Sequence, residues 1–122
     1  MKYSVDKQPD YAIVSLEEKT LNSAIAPDLK SEFVLMRNEG IKNLILDMSQ
    51  VGFVDSSGLS AILTANRLWK DDGAFILSNI QSDSVNKLIE ISRLGTILTI
   101  IPTNEQAIEY VNMAGQDIDE IQ

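Results

Sequence analysis

Apolar residues change their spacing several times along this chain, and each change marks an element. From Tyr3 to Gln8 the side chains alternate, with Tyr3, Val5 and Lys7 set against Ser4, Asp6 and Gln8. Pro9-Asp10 is a turn signal and Tyr11 to Leu16 carries Ala12-Ile13-Val14 inside a second strand, so the start of the chain predicts an antiparallel hairpin. Glu17 to Asn22 is polar and predicts a loop. Ile25, Leu29, Phe33 and Met36 then fall on one helical stripe, and Pro27 suits a first turn, where its missing N–H has no partner to lose. This helix is expected to start between Ala24 and Pro27 and to stop at Asn38-Glu39-Gly40.

Lys42 to Met48 and Ala74 to Asn79 have unbroken apolar centres, Leu44-Ile45-Leu46 and Phe75-Ile76-Leu77, the pattern of strands buried on both faces of a sheet. Between them Leu59, Ile62, Leu63, Asn66 and Trp69 predict a helix from Ser56 to Lys70, stopped by Asp71-Asp72-Gly73. Val85, Leu88 and Ile89 predict a helix over Ser84 to Ile91, and the chain turns through Ser92-Arg93-Leu94-Gly95 into a last strand, Ile97 to Ile101. Thr103-Asn104-Glu105-Gln106 is a capping box that opens a final helix. The order implies an α/β fold: a single-domain mixed sheet with an N-terminal antiparallel hairpin followed by βα units and four helices. The domain is expected over residues 1–114, with 115–122 an acidic, frayed tail. Functional loops in such a fold lie at the carboxyl ends of the parallel strands.

Composition narrows the chemistry. At 122 residues and 44% hydrophobic content the chain is long enough for one buried core. A net charge of −8 argues against nucleic acid and against an anionic membrane surface as partners. No Cys is present, which removes disulfides, a thiolate nucleophile and a zinc ribbon. The first residues hold no apolar targeting segment and no run approaches a membrane span, so a cytoplasmic location is expected. No His is present either, so a serine here cannot be activated by a Ser-His-Asp relay. Gly40, Gly52, Gly58, Gly73, Gly95 and Gly115 stand singly and form no phosphate-cradling loop; neither a cofactor nor a metal is expected, and the domain is expected not to be an enzyme.

Asp47 to Leu63, DMSQVGFVDSSGLSAIL, places two adjacent hydroxyls in the first turn of a helix. Capping accounts for one of them, since an N-cap side chain accepts a bond from an orphaned N–H two or three residues on. It does not account for both. Asp55-Ser56-Ser57-Gly58-Leu59, with LILDMSQVGF before it, resembles the signature of the STAS domain, the family of bacterial anti-sigma factor antagonists; the resemblance runs from about Tyr3 to Met113.

That resemblance implies that Ser57, the second serine, is a phosphoacceptor. It implies that the modifying enzyme is the partner itself, an anti-sigma factor serine kinase of the histidine-kinase-like ATPase type with ATP bound by the partner, and that a serine phosphatase reverses the step. Asp55, Ser56, Gly58, Asn22 and Arg93 are the expected partner-binding residues: Asp55 as a standing negative charge, Gly58 as an unobstructed approach to Ser57. Where the family has a Gly and then an Asp near the phosphorylation site, this chain has Lys19 and Asn22, in a loop one residue longer, and Asn22 takes the Asp's place. Arg93 replaces a family Gly, either presenting a positive charge on the Ser57 rim or offsetting a helix dipole.

Two other functions are compatible with the chain. One is a scaffold or transport-associated STAS domain whose serines only cap a helix. The other is a phospho-aspartate receiver or enzyme built on Asp47, Asp55 and Ser78, which would need an acidic cluster to hold Mg²⁺.

Overall fold

The structure is a computed structural model that describes the backbone of residues 1–121 and the side chains of residues 1–113. Its strands are β1 (Tyr3–Lys7), β2 (Ala12–Leu16), β3 (Thr20–Leu21), β4 (Asn43–Asp47), β5 (Phe53–Val54), β6 (Ala74–Ser78) and β7 (Thr99–Ile101). Its helices are α1 (Ala26–Asn38), α2 (Ser56–Trp69), α3 (Asp83–Ile91) and α4 (Asn104–Ile121), with a 3-10 turn over Leu94–Thr96. The expectation of a frayed tail over 115–122 falls on residues whose side chains lie outside the described ones.

β1 pairs antiparallel with β2, and β2, β4, β6 and β7 run parallel, giving the order β1-β2-β4-β6-β7. The mixed sheet with an antiparallel edge is therefore as the hairpin predicts. Both faces are covered. Leu44, Leu46, Phe75 and Leu77 pack with Leu29, Phe33 and Met36 of α1 and Ala61, Ala65 and Trp69 of α2, while the intervening Ile45 and Ile76 pack with Ala107 and Val111 of α4. Alternate residues of each central strand face opposite helical layers, which is why the strands read as unbroken apolar runs. Phe33 meets Trp69 and Phe75 edge-on at 6.4 and 5.9 Å, and the Trp69 indole N–H donates to the Ile41 carbonyl at 3.0 Å. This ties the C-terminal end of α2 to the connection between α1 and β4.

Polar groups close the α4 face at the carboxyl ends of three strands. Ser15, Asp47 and Ser78 are in register across β2, β4 and β6. Asp47 is 8% exposed; its carboxylate accepts from the Asn104 side-chain amide at 3.1 Å, the Ser15 hydroxyl at 3.3 Å and the Ser49 N–H at 2.9 Å. The Ser78 hydroxyl donates to the Asn104 side-chain oxygen, so one residue at the start of α4 bridges β4 and β6. At the same helix start the Thr103 hydroxyl accepts from the Gln106 N–H at 3.1 Å, as the capping box predicts. Burial pushes the Asp47 carboxyl up, but bonds from the Ser49 backbone, the Asn104 side chain, Ser49 and Asn79 outweigh it and hold the pKa below its ordinary value.

The segment Glu17 to Asn22, expected as a loop, contains β3, which pairs in parallel with β5 as a separate two-stranded ladder: Thr20 opposite Phe53 and Leu21 opposite Val54. Two residues are too few to show a period, so neither strand is visible as one in the sequence. The ladder sets the height of α2. The Asp55 N–H donates to the Leu21 carbonyl at 3.1 Å, and the first turn of α2 lies so close to the same carbonyl that a Cβ on Gly58 would be 2.3 Å from its oxygen and 2.8 Å from the Leu21 Cγ.

Gly58→Ala should therefore lower stability by roughly 1–3 kcal/mol, the usual cost of overpacking, even though alanine is the better helix former. Denaturant unfolding would show it, and a neutral or stabilising alanine would contradict the contact. Asp47, with its folded pKa lowered below the ordinary 3.8, contributes stability that is present above that value and lost as pH falls through the folded pKa. Between about pH 5 and about pH 2 the melting midpoint of the wild type should fall more steeply than that of Asp47→Asn; parallel curves would contradict the role given to this carboxylate.

Candidate functional site

The first turn of α2 is built by its cap. Asp55 is extended, with φ −93° and ψ −175°, and its carboxylate accepts from the Gly58 N–H at 2.9 Å. An aspartate N-cap both satisfies an orphan donor and places a negative charge at the positive end of the helix. Neither serine is the cap. Ser56 is exposed and Ser57 partly exposed at the first and second helical positions, and among the described residues neither hydroxyl makes a hydrogen bond. Both are thus left without a structural task in the fold.

The β3–β5 ladder brings Asn22 to this site, because Leu21 is opposite Val54 and the next residues are Asn22 and Asp55. The Asn22 side-chain oxygen accepts from the Ala24 N–H at 3.0 Å, and its carbonyl accepts from the Ile25 and Ala26 N–H groups at 3.0 and 2.8 Å. Asn22 turns the chain from β3 into α1. The N-terminal parts of α1 and α2 then border an open groove of about 410 Å³ lined by Ser23, Ala26, Pro27, Lys30, Ser56, Ser57 and Ser60.

Two of the expected site residues have other positions and reasons. Gly58 is buried, and its missing side chain makes room for Leu21 instead of clearing an approach to Ser57. Arg93 is exposed but does not line the groove. It lies two residues beyond the end of α3, at the far end of a helix roughly 13 Å long at 1.5 Å per residue, whose start is the end tied near β5 by the Ser82 hydroxyl donating to the Gly52 carbonyl at 2.8 Å. Nor does it occupy a last helical turn. With φ +55° Arg93 takes the left-handed conformation that closes a helix, the position where glycine is usual. The arginine takes a conformation that a glycine adopts without strain.

Ser23, Lys30 and Ser60 were not legible as site residues. Lys30 and Ser60 each lie one turn into a helix, and only the packing of α1 along α2 brings them to one groove. Phe53, in β5 just before the motif, is 51% exposed and does not line the groove.

The receiver grouping does not assemble. Asp47 and Ser78 meet through Asn104, with neutral partners around the carboxylate, while Asp55 is committed to the α2 cap. Among the described residues no group of three or more acidic side chains could hold a metal ion. Chemically, the site offers a hydroxyl at a helix N-terminus with a carboxylate engaged by the backbone beside it, an arrangement that suits an acceptor of a phosphoryl group. No helix among the described residues is long and apolar enough to cross a membrane.

Comparison with known proteins gives one family. A protein of Bordetella bronchiseptica named as a candidate anti-sigma factor antagonist, BtrV, is 27% identical over 108 residues, covering 88% of this chain and 91% of its own. The crystal structure of a candidate anti-sigma factor antagonist from Thermotoga maritima is 25% identical, with a TM-score of 0.79 over 90% of this chain and 94% of that one. The anti-sigma factor antagonist SpoIIAA in its unphosphorylated form has the same fold, with a TM-score of 0.75 at 22% identity over 91% of this chain and 96% of its own. The family model for the STAS domain matches residues 2–107, and the chain belongs to the STAS domain family.

Proposed function

We propose that this protein is an anti-sigma factor antagonist that works by partner switching: it binds an anti-sigma factor serine kinase while Ser57 is unmodified and releases it once Ser57 carries a phosphate. The observation that carries the reading is the division of labour in the first turn of α2, where Asp55 caps the helix and leaves the Ser57 hydroxyl partly exposed and unbonded among the described residues. Relatives that are named anti-sigma factor antagonists support the partner class. In the modifying step the Ser57 oxygen attacks the γ-phosphorus of ATP held by the kinase, the bond to ADP breaks, and the hydroxyl proton leaves to a base on the kinase. A serine phosphatase returns the chain to its binding state. The domain itself is a non-catalytic binding module of the cytoplasm.

A phosphoryl group adds roughly −1.5 to −2 charge. Placed on a helix N-terminus it meets N–H groups and a favourable dipole, so the modified chain keeps its fold. The surface presented to the partner changes instead: a rim that already holds Asp55 becomes more negative, and acidic groups on the partner are repelled.

The test combines site mapping with two variants. Incubation with the cognate kinase should place phosphate on Ser57, mapped by mass spectrometry, and none should appear on Ser57→Ala. Ser57→Asp should weaken partner binding by about 1–3 kcal/mol, or roughly 5- to 150-fold, whereas Ser57→Ala should bind as the wild type does. Because Asp55 is the cap, Ser57→Ala should change stability by less than about 0.5 kcal/mol. Phosphate on Ser56 would sink the assignment of Ser57, and equal binding by wild type and Ser57→Asp would sink the switch and leave a scaffold.

A further inference from the structure

The groove beside Ser57 has one cationic side chain and otherwise hydroxyls and apolar groups. Lys30, partly buried on α1, lines it together with Ser23, Ser56 and Ser60. In a chain with 18 acidic and 10 basic residues a lysine would be expected to find a carboxylate, yet among the described residues the ion pairs are Lys7 with Glu39 and Arg37 with Asp72. The charged groups that the two bordering helices bring to this end are Lys30, Asp28 in the first turn of α1, and Asp55, whose carboxylate is turned onto the Gly58 N–H. Asp28 is exposed and does not line the groove.

We propose that this groove is the seat of the phosphoryl group itself: once carried by Ser57, the phosphate turns between α1 and α2, and the Lys30 ammonium is its counter-ion. The inference rests on Ser57 being the modified residue, and it adds a second element to the switch. The Ser23 and Ser60 hydroxyls that line the same groove can donate to phosphate oxygens, and the flexible stem of Lys30 lets its ammonium follow them. The phosphate is then held in one direction, anchored to α1 as well as to α2. Lys30 is a positioning residue in this account, since it acts on the modified side chain and not on the partner.

The experiment installs phosphoserine at position 57 by genetic encoding, so that it depends on no kinase, and follows the phosphate by ³¹P NMR across pH. An ordinary phosphoserine has its second ionisation near pH 6. In the wild type it should fall by roughly one unit, as for an anion beside a cation; in Lys30→Gln it should return to the ordinary value, and Lys30→Arg should restore the shift. Thermal unfolding of unmodified Lys30→Gln, expected to match the wild type, shows that the fold is intact. An ordinary value in the wild type, or an unchanged shift in Lys30→Gln, would overturn the proposal. A kinase that failed to modify Ser57 would instead overturn the switch and leave the titration standing.

Discussion

The Leu21 carbonyl is the point on which the functional end of this molecule depends. Its oxygen accepts from the Asp55 N–H and lies against the first turn of α2, where only a residue without a side chain fits. Held from one side by a hydrogen bond, that carbonyl cannot retreat to make room for a Cβ. The close approach fixes where α2 begins, and with it the direction of Ser56 and Ser57 and the distance between the N-terminal turns of α1 and α2. It also fixes Asn22, which follows Leu21 and turns the chain into α1. A two-stranded ladder outside the main sheet thus sets the geometry of the site, while the five-stranded sheet supplies the rigid base.

The two polar ends of the structure have different work. On the α4 face, Asp47, Ser15, Ser78 and Asn104 satisfy one another in a nearly closed network: Ser15 joins β2 to β4, and Asn104 holds α4 to β4 and β6. At the start of α2, the cap is satisfied and the serines are not. A group left unbonded at an exposed helix start costs little in water, which lets the hydroxyl serve a reaction without loss to the fold. The charge balance is local in the same sense: an acidic protein of net −8 has a lysine lining the groove that Ser57 borders.

Much of this was legible in the residues. The unbroken runs Leu44-Ile45-Leu46 and Phe75-Ile76-Leu77 gave away a sheet covered on both faces, and the spacing of Leu29, Phe33 and Met36 gave the buried side of α1. Thr103 to Gln106 announced the start of α4. What escaped was whatever depends on contacts between elements. β3 and β5 are too short to carry a period; Gly58 looked like an open door because Leu21 is distant in sequence; Lys30 is an ordinary helical lysine until α1 lies along α2. Arg93 misled for a related reason, since a backbone angle leaves no mark on residue type when a non-glycine adopts it.

The central claim is that modification of Ser57 changes a surface and leaves the scaffold in place. Amide NMR spectra of the unmodified protein and of the protein carrying phosphoserine at position 57 test it most directly. The account predicts that shifted resonances are confined to the bend from Asn22 to Lys30 and to the first turns of α2, with β4, β6, α3 and α4 unmoved. Shifts spread through the sheet to the Asp47–Asn104 network would show that the phosphate works by rearranging the fold, and would contradict it.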